Sequence, residues 1–156
     1  MGGGLETCKT ERAFPDAGRA SSAAADYSDF QRSFFLNSIV TLFRGFPFPP
    51  GASQVVAVDP QTGAQTPFIT DLSSAIDVLP IRSKGDTDYL VLEFSTNFLV
   101  DPPPPGRLLR FETPGGSPTV IADCLTSPSS MTYDEKTGTV YVTELDTGRV
   151  VGIPLP

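Results

Sequence analysis

Short apolar runs separated by turn-forming residues dominate the chain from Ser38 onward. The runs are rich in Val, Ile, Leu, Tyr and Phe, and Pro, Gly, Asp and Thr stand between them, which is typical of strands joined by turns. We therefore predict ten β-strands, near residues 39–44, 54–58, 66–70, 75–79, 89–94, 107–112, 118–122, 129–133, 139–144 and 149–153.

The first 37 residues have a different pattern. They are rich in Gly, Ala, Ser and Asp and show no sustained apolar period, so we expect residues 1–37 to form a poorly ordered segment, of which residues 1–30 are dispensable. Within this segment, residues 23–36 favour a short helix. Residues 38–156 form the predicted folded domain.

The predicted strands repeat along the chain. Residues 89–96 align with residues 140–147 at an offset of 51, and residues 38–45 align with residues 89–96 at the same offset. A period of roughly 50 residues with four strands per unit is typical of a propeller blade. We predict an all-β chain that forms a partial β-propeller of about three blades, each of four antiparallel strands; a β-sandwich is the competing architecture.

The strands between these runs match at slightly different offsets. The alignment equates Ile69 with Ile121 at an offset of 52 and Ala75 with Ser130 at an offset of 55. These strands complete the predicted four-stranded unit.

The net charge of −7 excludes some partners. Residues 51–156 hold six basic and thirteen acidic residues, and 6 − 13 gives the whole charge. Such a surface repels phosphate backbones and anionic lipid, so we expect neither nucleic-acid nor membrane binding. The most apolar run, residues 34–43, is about half the length of a membrane-spanning helix.

The absence of histidine from the sequence limits its chemistry. It excludes a Ser-His-Asp or Cys-His catalytic unit and histidine metal sites within the chain. Cys8 and Cys124 make no metal motif. A disulfide between them is an alternative that the sequence does not decide, because Cys8 lies in the segment expected to be loose.

Several longer strings resemble the ScyD/ScyE family of propellers, which is known from the gene cluster for the cyanobacterial sunscreen scytonemin. They are GFPFPPGASQVVAVDPQTG (residues 45–63), the AIDV strand, YLVLEFSTNFL (89–99), PGRLLRF (105–111) and VYVTELDTGRVVGI (140–153). The resemblance covers about residues 38–156. It implies an NHL-like six-bladed propeller, secreted or periplasmic, of undefined biochemistry. The chain departs from the family because its start has no secretory leader and it matches only the C-terminal half.

The wider group of six-bladed propellers includes calcium-dependent lactonases, in which carboxylates and amides hold the ion. Here serines occupy the positions just before the predicted innermost strands, and neutral hydroxyls are weak calcium ligands. Asn97 and Asp146 are the nearby candidates for a metal site. We therefore expect no cofactor, with calcium as the alternative.

Three acidic residues stand out within the predicted strands. Glu93 and Glu144 occupy the same position in successive repeats, which indicates a structural role, with backbone amides or Arg107 and Arg149 as partners. Asp77 lies between apolar residues of an inner strand, where a buried carboxylate needs a partner, so it is a candidate for ligand binding.

Two proline-rich loops occupy equivalent places in successive repeats. One carries Phe46 and Phe48, and the other carries Pro103 within DPPPPG. We expect the two loops to lie on one face, where they would form an apolar patch that contacts a partner.

Together these features favour a non-enzymatic binding or scaffold module whose loops contact a protein or a small ligand. The alternative is a calcium-dependent hydrolase or lactonase. Because three blades cannot close a ring, we also expect self-association through open blade faces.

Overall fold

The computed structural model describes residues 38–83 and 85–156, which form ten β-strands and no helix. Within this part of the chain, no helix is long and apolar enough to cross a bilayer. The strands are β1 (Ser38–Leu42), β2 (Ser53–Val58), β3 (Gln65–Leu72), β4 (Ala75–Ser83), β5 (Asp86–Glu93), β6 (Gly106–Phe111), β7 (Thr119–Leu125), β8 (Pro128–Asp134), β9 (Thr139–Glu144) and β10 (Arg149–Pro154). The all-β prediction and the ten predicted strands are confirmed, with small shifts at their ends.

The strands form three antiparallel sheets, each made of consecutive strands. The first sheet has the order β1-β2-β3, the middle sheet β4-β5-β6-β7, and the last sheet β8-β9-β10. Contacts between the sheets join β4 to β1 and β2, and join β8 to β4 and β5. The early strands of successive sheets therefore lie against one another.

The second half of strand β5 is buried on both faces, which explains the unbroken apolar run from Tyr89 to Leu92. Leu90 and Leu92 belong to the core between the middle and last sheets. Val91 points the other way, into the core between the first and middle sheets. Burying each of these side chains contributes about 1.5–3 kcal/mol, so both sheet interfaces depend on this strand.

The strand pairings correct one part of the predicted repeat. Val55 of β2 pairs with Ile69, and Leu108 of β6 pairs with Ala122. Both steps along the chain are 53 residues, so Ile69 corresponds to Ala122 and not to Ile121. Bulges in both pairings displace the strands by a residue, and the sequence pattern does not reveal such bulges.

The first strands of the middle and last sheets also align differently from the prediction. Ala75 pairs with Glu93, and Pro128 pairs with Glu144, so Ala75 corresponds to Pro128 at an offset of 53. The predicted match of Ala75 with Ser130 is therefore wrong. A bulge follows the first residue in both strands, which makes the two strand entries alike.

Some predictions fall outside the described residues. These are the poorly ordered segment and short helix within residues 1–37, and any account of Cys8. Cys124 lies in β7 and is disulfide-bonded.

Candidate functional site

Three loops emerge at the same end of the three sheets, because each follows an equivalent strand. Residues 43–52 join β1 to β2, residues 94–105 join β5 to β6, and residues 145–148 join β9 to β10. The first two loops are long, and each contains a cis peptide bond, at Phe46–Pro47 and at Asp101–Pro102. Their length lets them touch beyond the ends of the strands.

Five phenylalanine rings from the first two loops form an unbroken series of contacts. The rings of Phe46 and Phe48 have centroids 6.1 Å apart, and those of Phe48 and Phe98 are 5.5 Å apart. Phe43 lies 5.3 Å from Phe48, and Phe98 stacks on Phe94 at 5.4 Å. These separations are typical of favourable aromatic pairs, so the rings hold the two loops together.

This end of the protein also exposes much of its apolar surface. Phe46 is 88% exposed, Leu145 64% and Leu99 58%. Of the eight large hydrophobic residues exposed in the described part of the chain, five lie in these three loops. We call Phe43, Phe46, Phe48, Phe94, Phe98, Leu99, Val100 and Leu145 the phenylalanine surface. Phe46 and Phe48 thus lie on an exposed apolar surface with the second loop, and the contact of this patch with a partner stays a prediction.

Hydrogen bonds fix the backbone beneath the phenylalanine surface. In the second loop, the Ser95 hydroxyl donates to the Pro104 carbonyl at 2.7 Å, which closes the proline-rich stretch that contains Pro103. In the first loop, the Phe48 amide donates to the Gly45 carbonyl at 3.1 Å, and Phe48 itself has a positive φ of 55°. The exposed rings therefore stand on ordered turns.

The two candidates for a calcium site lie in different loops. The Asn97 side-chain oxygen accepts the Leu99 amide at 2.8 Å, and an Asp146 carboxylate oxygen accepts the Ser127 hydroxyl. Asn97 therefore serves its own turn, and Asp146 holds the connection between β7 and β8. No three acidic, histidine or cysteine residues come together as a metal site within the described residues. The expectation of no cofactor, with calcium as the alternative, stays a prediction.

The serines predicted to precede the innermost strands are placed differently in the two sheets. Ser73 and Ser74 do precede β4, but Ser129 and Ser130 lie inside β8. The residue equivalent to Ser74 is Ser127, and both have positive φ, at 51° and 46°.

Glu93 and Glu144 hold the connections that lead into their own sheets. Glu93 is fully buried and accepts the Ser73 amide at 2.6 Å. Glu144 accepts the Thr126 amide at 2.6 Å, and Thr126 occupies the same place one repeat later. Each glutamate therefore stabilises the turn between two sheets, which agrees with the structural role predicted for both.

The two glutamates differ in their second partner. The other carboxylate oxygen of Glu93 accepts Arg107 Nε in an ion pair, whereas that of Glu144 accepts the Thr147 hydroxyl at 2.9 Å. Arg149 pairs with Glu144 only as a neighbouring strand residue.

Asp77 joins two sheets. Its Oδ2 accepts the Met131 amide at 2.8 Å and the Ser130 hydroxyl at 3.2 Å, and its Oδ1 accepts the Val78 amide at 2.9 Å. Asp77 is half-buried, and its carboxylate has the hydrogen-bond partners that partial burial requires. These contacts give Asp77 a structural role, and its contact with a ligand stays a prediction.

A polar cleft of about 620 Å³ opens at the opposite end of the middle sheet. Within it, Arg110 Nε donates to Asp88 at 2.7 Å and Arg110 Nη2 donates to Ser83 at 2.7 Å. Arg110 and Asp88 in the wall of the cleft thus pair with one another and form a structural cluster with Ser83.

A turn that occurs twice in the chain was not among the predicted features. Asp59 and Asp134 each begin a turn of sequence D-x-x-T-G, and in both turns the glycine amide donates back to the aspartate carbonyl. Hydrogen bonds from the Gln61 and Thr62 amides lower the pKa of Asp59, and the Thr137 hydroxyl and Lys136 amide lower the pKa of Asp134. The D-x-x-T-G spacing itself was the signal.

Comparison with known proteins finds no matching family model, curated protein or solved structure.

Proposed function

We propose that the chain is a non-enzymatic binding module of β-propeller type whose phenylalanine surface docks a partner protein. The same hydrogen bond, from a turn amide to a glutamate carboxylate, recurs in successive sheets, and this repetition supports the propeller architecture. Glu93 and Glu144 lie 51 residues apart, and each holds the turn into its own sheet. The resemblance to ScyD/ScyE proteins agrees with this proposal.

One observation carries the binding role. Phe46 is 88% exposed, yet its ring belongs to a series of contacts that crosses two loops. An aromatic side chain that is ordered and exposed at once suits an interface anchor, because little conformational entropy is lost when it is buried.

Three acidic side chains within the strands favour binding over catalysis. Asp77, Glu93 and Glu144 each accept backbone amides, so their carboxylates serve the fold. A general acid or base needs a carboxylate within reach of a substrate. We therefore place the function in the exposed loops and not in a catalytic group.

Selection of peptides from a random display library against sparsely immobilised protein tests this proposal. Selected peptides are titrated by calorimetry against the wild type and against the triple variant Phe46→Ser/Leu99→Ser/Leu145→Ser. We expect the triple variant to bind about a hundredfold more weakly, because three lost anchors of about 1 kcal/mol each remove about 3 kcal/mol of binding free energy.

The matched control is Val120→Ser, which changes a residue 49% exposed on β7, outside the loops. Peptides that bind the triple variant and the wild type equally would contradict the proposal. A parallel calcium titration with a lactone panel covers the alternative: micromolar calcium binding together with hydrolysis would favour the calcium-dependent hydrolase.

A further inference from the structure

The two loops that build the phenylalanine surface carry opposite charges. Arg44 is the one charged residue of residues 43–52, and Asp101 is the one charged residue of residues 94–105. Both residues are exposed. The first loop is therefore net positive and the second net negative.

The oppositely charged loops lie side by side. Ring contacts of Phe98 with Phe48 at 5.5 Å and with Phe43 at 6.2 Å bring the second loop against the first. Arg44 is held at the base of its loop, where its Nε donates to the Ala52 carbonyl at 3.2 Å. The positively charged loop and the negatively charged loop thus adjoin through these ring contacts.

Such a surface is complementary to itself. A two-fold axis at the boundary between the loops would place the first loop of each copy over the second loop of the other. Arg44 would then face the other copy's Asp101, and this pair would occur twice. Phe46 would meet the proline ridge, residues 102–105, with apolar side chains around it.

We propose that the partner of the phenylalanine surface is a second copy of this chain, bound as a two-fold dimer through these loops. The inference rests on the proposed function, since it names the partner of the same surface. Burial of the exposed apolar residues supplies the affinity, and the crossed charge pairs select the orientation.

Sedimentation equilibrium of the full chain tests the dimer with two charge reversals, Arg44→Asp and Asp101→Arg. Each reversal places like charges opposite each other twice, and we expect it to raise the dimer dissociation constant about tenfold or more. Arg82→Asp reverses an exposed arginine on β4, outside these loops, and should leave the constant unchanged. Circular dichroism checks that all variants fold.

Mixing the two reversed variants gives the sharpest result. In a two-fold dimer, a copy with Arg44→Asp opposite a copy with Asp101→Arg has an attractive pair at both contacts. We therefore expect the mixture to associate about as tightly as the wild type, although each variant alone associates about tenfold more weakly. Loss of fold cannot produce this recovery.

A wild type that stays monomeric at micromolar concentration would overturn the inference. So would a dimer that ignores both reversals, which would place self-association elsewhere, such as the open sheet faces. A monomer that still binds selected peptides, and loses them in the Phe46→Ser triple variant, would overturn the dimer and retain the proposed function. Failure of both measurements would overturn both.

Discussion

The side chain of Asp77 accepts the backbone amide of Met131 at 2.8 Å, across 54 residues of sequence. This bond joins the first strand of the middle sheet to the first strand of the last sheet. Asp77→Ala would leave the Met131 amide without this acceptor, and we expect the free energy of unfolding to fall by about 1–3 kcal/mol. Urea unfolding followed by circular dichroism measures the loss.

Asp123→Ala is the control for Asp77, because Asp123 is an exposed aspartate on β7. We expect it to change the unfolding free energy by less than about 0.5 kcal/mol. Equal effects of the two substitutions would contradict the role assigned to Asp77.

The elements of this fold that could be predicted are those determined by residues close together in the sequence. The ten strands follow from apolar runs and turn residues. The contact of the two proline-rich loops follows from their equal positions in the repeat. The partner of Asp77 does not follow, because Met131 is distant in sequence and the pairing depends on how two sheets stack. The correct match of Ala75 with Pro128 was missed because a bulge changes the register without leaving a pattern.

The two connection-holding glutamates should differ in their contribution to stability. Glu93 is fully buried, and Glu93→Gln would leave Arg107 without its ion-pair partner. Glu144→Gln removes a charge that has no cationic side-chain partner. Because Arg107 is 30% exposed, we expect a moderate loss of about 2 kcal/mol for Glu93→Gln. For Glu144→Gln we expect about 1 kcal/mol.

A double-mutant cycle separates the ion pair from the rest of the Glu93 site. Arg107→Leu should destabilise the wild type more than it destabilises the Glu93→Gln variant, since the pair is already broken there. Additive losses would mean that the two side chains are not energetically coupled.

Gly106 is required by close approach of neighbouring atoms. A Cβ at this position would lie 2.4 Å from the Glu93 carbonyl oxygen and 2.6 Å from Cγ of Pro128. Backbone on one side and a proline ring on the other leave little room to adjust, so we expect Gly106→Ala to cost about 1–3 kcal/mol. Gly115→Ala, where a Cβ meets no atom within 4 Å, is the control for thermal unfolding. Comparable melting temperatures for the two variants would refute the crowding.

Acid should weaken the protein partly through its D-x-x-T-G turns. Hydrogen bonds from the turns lower the pKa of Asp59 and of Asp134 below the ordinary value of 3.8. A carboxyl whose pKa is lower in the folded state stabilises the fold above its unfolded pKa, and this contribution is lost as pH falls through the folded value. As the pH is lowered below 3.8, the urea concentration at the unfolding midpoint of the wild type should therefore decrease.

Asp59→Asn/Asp134→Asn removes both titrations while keeping an oxygen acceptor in each turn. The double variant should lose less stability than the wild type over the same acid range. Parallel acid profiles would show that these two carboxylates contribute nothing to the pH dependence.

The positions of Glu93 and Glu144 in the sequence also affect the order in which the chain folds during synthesis. Glu93 fixes a turn only 20 residues before it, and Glu144 fixes one only 18 residues before it. Contacts between residues so near in sequence form with a small loss of loop entropy. The connection into the middle sheet can therefore be locked soon after Glu93 leaves the ribosome, before the last sheet is complete. Nascent chains should accordingly gain protection from proteases in steps of one sheet, in order from the N-terminal side.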